Sequence, residues 1–301
     1  MAHVTRRDFF RTGLAGTLLA GAGGAIPAWG QKRSATDWVT LGNSGVKVTR
    51  LALGTGTFSG RVQRELGQDD FTRMVRHAYD QGIRFFDTSE GYSGIHAMLG
   101  AALKGLPRDS YRLMTKFAVG PARNGATLQA RIDQARTAIN TEYFDIVLMH
   151  AMSSPTWPAD TQATQDALDE FKSKKVVLAN GVSIHGLRAL NPASGCKWLD
   201  VALVRINHTG ARMDTAAQQQ DTAELGDVQQ VAARAKEIHA QGTGVLGMKL
   251  VGEGQFTDGE QRQKSLNFVM GLGAVDAVTM GYKSTAEVDE AIERMNRALN
   301  A

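Results

Sequence analysis

The sequence predicts an α/β protein folded as a single (β/α)8 TIM barrel, preceded by an N-terminal β-hairpin. Eight strand-like segments alternate with amphipathic helical segments, and the intervals between strand ends scatter around the roughly 31 residues expected when about 250 residues are divided by eight. The 301 residues are 43% hydrophobic with only six prolines, which suits one large core. An open doubly wound sheet is the alternative, but no GxGxxG turn follows the first predicted strand.

The first 30 residues have the pattern of an export signal. The stretch "VTRRDFFRTGLAGTLLAGAGGAIPAWG" has a charged start, a middle rich in Gly, Ala and Leu, and small residues at Ala28 and Gly30 with the spacing of a signal-peptidase site. Its "TRRDFF" core, residues 5–10, resembles the twin-arginine signal, in which Ser or Thr precedes two arginines. We therefore predict a signal peptide over 1–30 and a single domain over 31–301.

Two other interpretations of this segment are disfavoured. A first helix of the fold would contain several glycines between residues 13 and 24, and each costs roughly 1 kcal/mol relative to alanine. A membrane anchor would need about 20 apolar residues, more than the segment supplies. The expectation is export by the twin-arginine machinery to the periplasm or the cell exterior, with no stable membrane anchor.

Composition argues against several classes of partner. The net charge is +4, and the basic residues are scattered, so no nucleic-acid partner is expected. The single cysteine, Cys196, leaves no intrachain disulfide and no CxxC motif. The histidines have no metal-ligand spacing, so no metal site is expected.

The predicted domain begins with a hairpin. In "WVTLGNSGVKVT", residues 38–49, apolar and polar residues alternate on either side of Asn43-Ser44-Gly45. The strands predicted after it span residues 50–54, 83–88, 112–117, 145–150, 176–183, 201–207, 244–249 and 274–281.

Helical segments are predicted between these strands. In "DDFTRMVRHAYDQG", residues 69–82, the apolar residues fall at helical spacing and Gly82 supplies a stop. The polar stretch "AAQQQDTAE", residues 216–224, is predicted to be a solvated loop of the kind that shapes substrate access in barrels.

Three polar residues stand at the ends of consecutive predicted strands, Asp87, Lys116 and His150. Carboxyl ends of barrel strands form the active-site face. Alternate residues of a strand share one face, so His150 is the last inward residue of "DIVLMH". We expect the three side chains to converge at one end of the barrel, with Tyr92 brought over them by the short loop after Asp87.

This set suits proton donation to a carbonyl oxygen. An ammonium beside a phenol lowers its pKa, and a carboxylate keeps a buried lysine charged. A histidine can orient the carbonyl by a hydrogen bond. The set includes no strong nucleophile, so a hydride from a cofactor is the expected attacking species.

These residues resemble the aldo-keto reductases over nearly the whole predicted domain. The motif "FFDTSEGY" is similar to the family's "D-T-A-x-x-Y". The resemblance implies that Tyr92 is the general acid, that Lys116 and Asp87 tune it, and that His150 positions the carbonyl of an aldehyde or ketone, which is reduced to an alcohol. It also implies that NADPH lies extended across the barrel mouth.

The same resemblance identifies cofactor contacts. Ile184 stands where the family often has Asn, and "GMKLVG" replaces the family's "A-Y-S-P-L", whose tyrosine stacks on nicotinamide. Met can still pack against a ring. Residues expected around the nicotinamide half of the site are Gly56, Thr57, Ser183, Asn207, Met248 and Lys249.

The segment "MGYKSTAEVDEAI" resembles the part of the family that binds the adenosine phosphate. Lys283 and Ser284 are the expected phosphate contacts, and Glu287 and Glu290 are expected nearer the adenine. Ser284 could also cap the last helix, with the acids of its early turns serving the helix dipole, and both roles can hold at once. The resemblance implies NADP(H) as the cofactor. Because Val288 or Asp289 stands where the family has an arginine for the 2′-phosphate, NAD(H) is left open.

Two further functions remain open from the sequence. The barrel could bind the cofactor as a regulatory protein with little turnover, because a fold does not guarantee an activity. It could also be a cofactor-independent lyase or isomerase that uses Tyr92 and Lys116 as an acid/base pair.

Overall fold

The computed structural model describes residues 32–120, 127–215 and 224–301. Residues Lys32–Ala301 form one compact unit. The predicted signal peptide, residues 1–30, lies outside the described residues, as does all but the last residue of the polar loop predicted over 216–224. No helix in the described ranges is both long enough and apolar enough to span a bilayer.

The predicted hairpin is present at the start of the domain. Strand β1 (Trp38–Thr40) pairs antiparallel with β2 (Lys47–Thr49). The turn between them buries Leu41, and Val48 of β2 is buried as well. Both belong to the cluster that fills the barrel, so the hairpin covers the amino-terminal end of the barrel.

The predicted barrel is confirmed. Eight parallel strands close in sequence order, with the last pairing with the first. Their bounds are β3 (Leu51–Gly54), β4 (Phe85–Asp87), β5 (Arg112–Phe117), β6 (Phe144–Met152), β7 (Val177–Ile184), β8 (Val201–Arg205), β9 (Gly244–Met248) and β10 (Ala277–Gly281).

Helices surround the barrel. In one of them, the helix Gly67–Asp80, the buried residues are the apolar ones predicted from helical spacing. The α-helices are α1 (Arg61–Glu65), α2 (Gly67–Asp80), α3 (Ile95–Leu103), α4 (Leu128–Ile139), α5 (Trp157–Asp160), α6 (Gln162–Ser173), α7 (Leu187–Leu190), α8 (Val228–Ala240), α9 (Gly259–Gly271) and α10 (Thr285–Leu299). Short 3-10 helices lie at Arg108–Ser110, Asn191–Ala193 and Gly252–Gly254.

Alternation along the strands divides the apolar residues between two layers. Phe85 belongs to the cluster inside the barrel, whereas Phe86 belongs to the layer between the barrel and the helices. Met114 and Leu148 are also interior residues. Because side chains alternate, the next inward positions toward the carboxyl ends are those of Asp87, Lys116 and His150.

Candidate active site

Lys116 and Asp87 form a buried ion pair at the carboxyl end of the barrel. Lys116 is only 1% exposed, and its Nζ contacts Asp87 Oδ1 and donates to the Thr88 carbonyl at 2.9 Å. Thr279 donates its hydroxyl to the other carboxylate oxygen, Oδ2, at 3.0 Å. Burial alone would lower the pKa of Lys116, but Asp87 and Tyr92 outweigh burial and raise it. Lys116 is therefore a cation at neutral pH.

Tyr92 lies over this pair, on the loop that follows β4. Lys116 Nζ is 5.4 Å from the centroid of the phenol ring. The hydroxyl packs against the backbone of Gly56, where an added Cβ would lie 2.5 Å from the phenol oxygen. Only glycine leaves room for the phenol in this position.

The pKa of Tyr92 moves in the direction opposite to the one expected from the sequence. Burial raises it, and the opposing effect of Lys116 does not overcome that rise. The sequence-based expectation considered the ammonium and underweighted desolvation, which disfavours the phenolate. The phenol is therefore protonated at neutral pH, as a proton donor must be.

His150, on β6, completes the cluster. Its ring is edge-on to that of Tyr92, with centroids 5.8 Å apart, and its Nδ1 lies 2.9 Å from Ser89 Oγ. Burial lowers the pKa of His150 to about 3, with further lowering by Lys116 and Arg205. The imidazole is neutral at physiological pH. The structure thus brings together the three residues that the strand-end argument selected and Tyr92 from the loop after Asp87.

All four residues line one cavity of about 1140 Å³. That volume exceeds the roughly 300–1,000 Å³ usual for small-molecule sites. The cavity extends from Tyr92 past the end of β9 to Lys283 and Glu287 at the amino-terminal end of α10.

Most of the residues expected to contact a cofactor lie on this cavity wall. The ones that line it are Gly56, Thr57, Ser183, Met248, Lys249, Lys283, Glu287 and Glu290. Asn207 and Ser284 are not among its lining residues.

Asn207 and Ser284 make local contacts with the backbone. The buried Asn207 amide donates to the Ala211 and Lys249 carbonyls at 2.7 and 3.1 Å, which ties the loop after β8 to the end of β9. Ser284 caps α10 and accepts the Glu287 amide at 3.2 Å. The helix cap predicted for Ser284 is present, and its contact with a cofactor phosphate stays a prediction.

Sequence reasoning missed the arginines at the far end of the cavity. Arg262 and Arg294 both line it and both contact Glu290, at 2.8 and 2.6 Å. The positions compared with the family arginine point elsewhere, because Val288 is buried in the core and Asp289 pairs with His77. In the sequence, the one indication of this cluster was that Glu290 and Arg294 are four residues apart on the same helix, a spacing at which side chains can pair.

Sequence reasoning also missed a polar group beside His150. Arg205, the last residue of β8, and His185, which directly follows β7, both line the cavity. Arg205 Nη2 is 2.6 Å from His185 Nδ1. The signal was available, since Arg205 shares strand parity with Val201 and Leu203, which are interior residues.

The cavity is also where the backbone departs from common conformations. Among the described non-glycine residues, eight have a positive φ angle. Six of these line the cavity, and such strain often accumulates at functional sites: Phe58, Ser59, Ala151, Arg212, Lys249 and Glu253.

Glu253 joins the loop after β3 to the loop after β9. Its carboxylate accepts from the Phe58 backbone amide at 3.3 Å and from Lys249 Nζ at 2.7 Å. Phe58 follows β3 and Lys249 follows β9, so Glu253 links two loops that both line the cavity.

Comparison with known proteins identifies the family. The family model described as Aldo/keto reductase family matches residues 50–300. The chain belongs to the aldo/keto reductase family. Family membership covers the barrel and every residue of the candidate site, and it supports nicotinamide-dependent carbonyl chemistry in general terms.

Individual relatives match parts of the chain. An L-galactose dehydrogenase from Arabidopsis thaliana is 32% identical over 141 residues, which cover 44% of each chain. A probable aldo-keto reductase from Glycine max is 36% identical over 167 residues, 51% of this chain and 45% of the relative. The matched part therefore spans less than half the length of these relatives.

Solved aldo-keto reductases share the fold. An enzyme from Klebsiella pneumoniae, determined in complex with NADPH, superimposes with a TM-score of 0.60 at 18% identity and covers 90% of both chains. This likeness supports the barrel architecture.

Within the described residues, no group of His, Cys, Asp and Glu is arranged to hold a metal ion.

Proposed function

We propose that the protein reduces an aldehyde or ketone to an alcohol with NADPH, with Tyr92 as the general acid. The observation that carries the proposal is the convergence of Asp87, Lys116, Tyr92 and His150 at one end of a long cavity. That arrangement couples a protonated phenol to a fixed positive charge.

The described residues fit a dinucleotide. The cavity is long enough to extend from Tyr92 to the amino terminus of α10, where helix amides and the dipole favour phosphate. Lys283, Arg262 and Arg294 lie at that end, and their charge is only partly offset by Glu287 and Glu290. The remaining positive charge, together with the NADPH-bound structural relative, supports NADP(H) over NAD(H). When bound, the nicotinamide supplies the hydride that reduces the carbonyl carbon.

Residues of this chain would position the carbonyl oxygen of the substrate and protonate it. Neutral His150 holds the carbonyl oxygen beside Tyr92, and the Tyr92 hydroxyl transfers its proton to that oxygen as negative charge develops on it. Lys116 stabilises the phenolate that remains. Asp87, held by Lys116 and Thr279, keeps the ammonium charged in the buried site.

The proposal includes a location. The twin-arginine-like motif at residues 5–10 supports export through the twin-arginine machinery to the periplasm or beyond. That route carries folded proteins, so the dinucleotide would be bound before export.

The mechanism is tested with two variants and their combination. Tyr92→Phe removes one hydroxyl, so it should retain NADPH binding and lose roughly 10² to 10⁴-fold in aldehyde reduction. Lys116→Met should also abolish most turnover, because Asp87 is left as an uncompensated buried carboxylate and the phenolate loses its counter-charge. The double variant should be little worse than either single one, since the residues act as one unit.

Dinucleotide affinity and reduction rate are measured for all four proteins. Turnover of Tyr92→Phe close to that of the wild type would refute the role of the phenol. If the fold-loss in reduction rate of the double variant equalled the product of the two single losses, Lys116 would act independently of Tyr92. A wild type that binds no dinucleotide would favour the lyase or isomerase alternative, and binding without turnover would favour the regulatory one.

A further inference from the structure

His185 lies beside the residue that would hold the substrate carbonyl. Its ring is edge-on to that of His150, with centroids 6.0 Å apart and planes at 85°, and both rings line the cavity. The proposed mechanism uses His150 and gives no role to His185.

Arg205 fixes which nitrogen of His185 carries the proton. A guanidinium has only hydrogen-bond donors, so the 2.6 Å contact from Arg205 Nη2 makes His185 Nδ1 an acceptor. Burial, followed by Arg205 and His150, lowers the pKa of His185 well below its usual value. The ring is therefore neutral, and its proton is on Nε2.

The Nε2–H group has spare capacity to donate. Among the described residues its hydrogen-bond partner is Ser183 Oγ, at 3.4 Å, which is long for a hydrogen bond. Ser183 also lines the cavity, so Nε2 is directed toward the space where ligands would bind.

Asp214 balances the charge of Arg205 above neutral pH. Its carboxyl group is 1% exposed and lies 3.8 Å from Arg205 Nε. Burial raises the pKa of Asp214 to about 7, so above that pH the ionised carboxylate offsets the guanidinium that contacts His185. Under that condition the Nε2–H group of His185 lies beside a balanced pair of charges, and a neutral acceptor oxygen suits it better than a carboxylate does.

We propose that His185 is a specificity-determining residue, whose Nε2–H binds a neutral oxygen on the carbon next to the substrate carbonyl. The substrate class is then α-hydroxy or α-oxo aldehydes and ketones. Adjacent imidazoles would bind the two oxygens, His150 the reacting one and His185 its neighbour. Arg205 and Asp214 are positioning residues that act through His185. The inference rests on the proposed function, because it needs carbonyl reduction at this site.

The first test compares aldehydes that differ only in one oxygen. With NADPH and wild-type protein at about pH 8, where Asp214 is ionised, kcat/KM for 2-hydroxypropanal should exceed that for propanal by about tenfold or more, as expected for one well-formed hydrogen bond. 3-Hydroxypropanal should be no better than propanal. Equal rates for all three would overturn the inference alone, whereas no reduction of any aldehyde would overturn the proposed function as well. A preference for glyoxylate over 2-hydroxypropanal would assign an anion site to Arg205 and also overturn it.

The second test removes the donor. His185→Phe should bring the 2-hydroxypropanal to propanal ratio close to one, whereas His185→Gln, which can accept from Arg205 and donate into the cavity, should keep part of the preference. His208→Phe is the matched control, since His208 bonds to Gln261 and is not among the cavity-lining residues, and it should keep the wild-type ratio.

NADPH affinity, measured by fluorescence titration, separates substrate recognition from cofactor binding. It should be the same within about threefold in the wild type and in all three variants. Weaker NADPH binding by His185→Phe with an unchanged substrate ratio would assign His185 to the cofactor and overturn the inference. If His185→Phe does not fold, the wild-type ratios and His185→Gln still decide the question.

Discussion

At Asp214, burial of the carboxyl group is not balanced by hydrogen bonds or by the nearby charge of Arg205. Neither of its carboxylate oxygens has a hydrogen-bond partner of good geometry in the described part of the chain. Burial raises the pKa of Asp214 from 3.8 to about 7, with only partial compensation by Arg205. The native state therefore keeps a proton that the unfolded chain loses near pH 4.

This imbalance predicts a pH-dependent loss of stability. The contribution of Asp214 is fully present below about pH 4 and is lost as the pH rises to about 7, because the native state binds more protons in that window. At about 1.4 kcal/mol for each pKa unit, the loss is on the order of 4 kcal/mol. Asp214→Asn removes the titration, so the wild type minus variant difference in unfolding free energy should fall by that order between pH 4 and pH 8.

Urea denaturation at several pH values measures this difference. Asp69→Asn, a change at an exposed carboxylate on α2, gives the baseline for removing an ordinary surface charge. A difference for Asp214→Asn that stays as flat as this baseline would contradict the prediction.

Individual residues were predictable where strand parity decided them. Asp87, Lys116 and His150 follow from the two-residue period at strand ends, and the structure brings them together with Tyr92. The pKa direction of Tyr92 was not predictable, because it depends on how completely the loop buries the phenol. The same applies to Asn207, whose hydrogen bonds to two loops exist only once both are folded.

At the level of elements, the hairpin belongs to the barrel core and not to the active site. Leu41 in its turn is fully buried, and an added Cβ on Gly244 would lie 2.6 Å from Leu41 Cβ. Gly244 begins β9, so this contact lies at the amino-terminal end of the barrel, opposite to Tyr92.

Leu41→Ala should therefore cost stability without affecting the site. The expected loss is about 2–5 kcal/mol of unfolding free energy, as for other buried leucines truncated to alanine, with NADPH affinity unchanged. Trp38→Ala in β1 is the control, since Trp38 is 43% exposed, and it should cost much less. Denaturant unfolding and NADPH titration test both, and a tenfold weaker affinity in Leu41→Ala would show that the hairpin supports the site.

The sequence predicted which strands form more accurately than the residues at which they begin and end. The strand predicted over 83–88 is observed as Phe85–Asp87. The strand predicted over 145–150 extends to Met152. Its pairing register with β7 shifts near Ala151, which has a φ of 59°. The spacing of apolar residues indicates which side chains are buried. It does not indicate a register shift, because that depends on the neighbouring strand. It lies beside His150, where it shapes the cavity.

For the whole molecule, the sequence predicted the closed barrel because eight strand–helix repeats leave few other ways to bury so many apolar strands. It did not predict how the loops meet over the barrel. Glu253 contacts the loop after β3 from the loop after β9, across nearly two hundred residues of sequence. Such contacts carry no local pattern, so cavity shape had to come from the structure.

The last prediction concerns where the folded molecule resides. Arg6 and Arg7 stand together after Thr5, and the twin-arginine route requires that pair and accepts folded cargo. Because the proposed reaction needs a dinucleotide made in the cytoplasm, a route that exports the folded, loaded protein suits it. Changing Arg6 and Arg7 together to Lys keeps the charge but should leave the protein in the cytoplasm.

Arg11→Lys, outside the pair, is the matched control and should be exported as the wild type is. Fractionation followed by immunoblotting measures the distribution, and NADPH binding by the retained double variant shows that it is folded. The predicted location would be refuted if the double variant were exported at the wild-type level, or if the wild type were found only in the cytoplasm. Neither result would bear on the proposed chemistry, which the Tyr92 and His185 variants test.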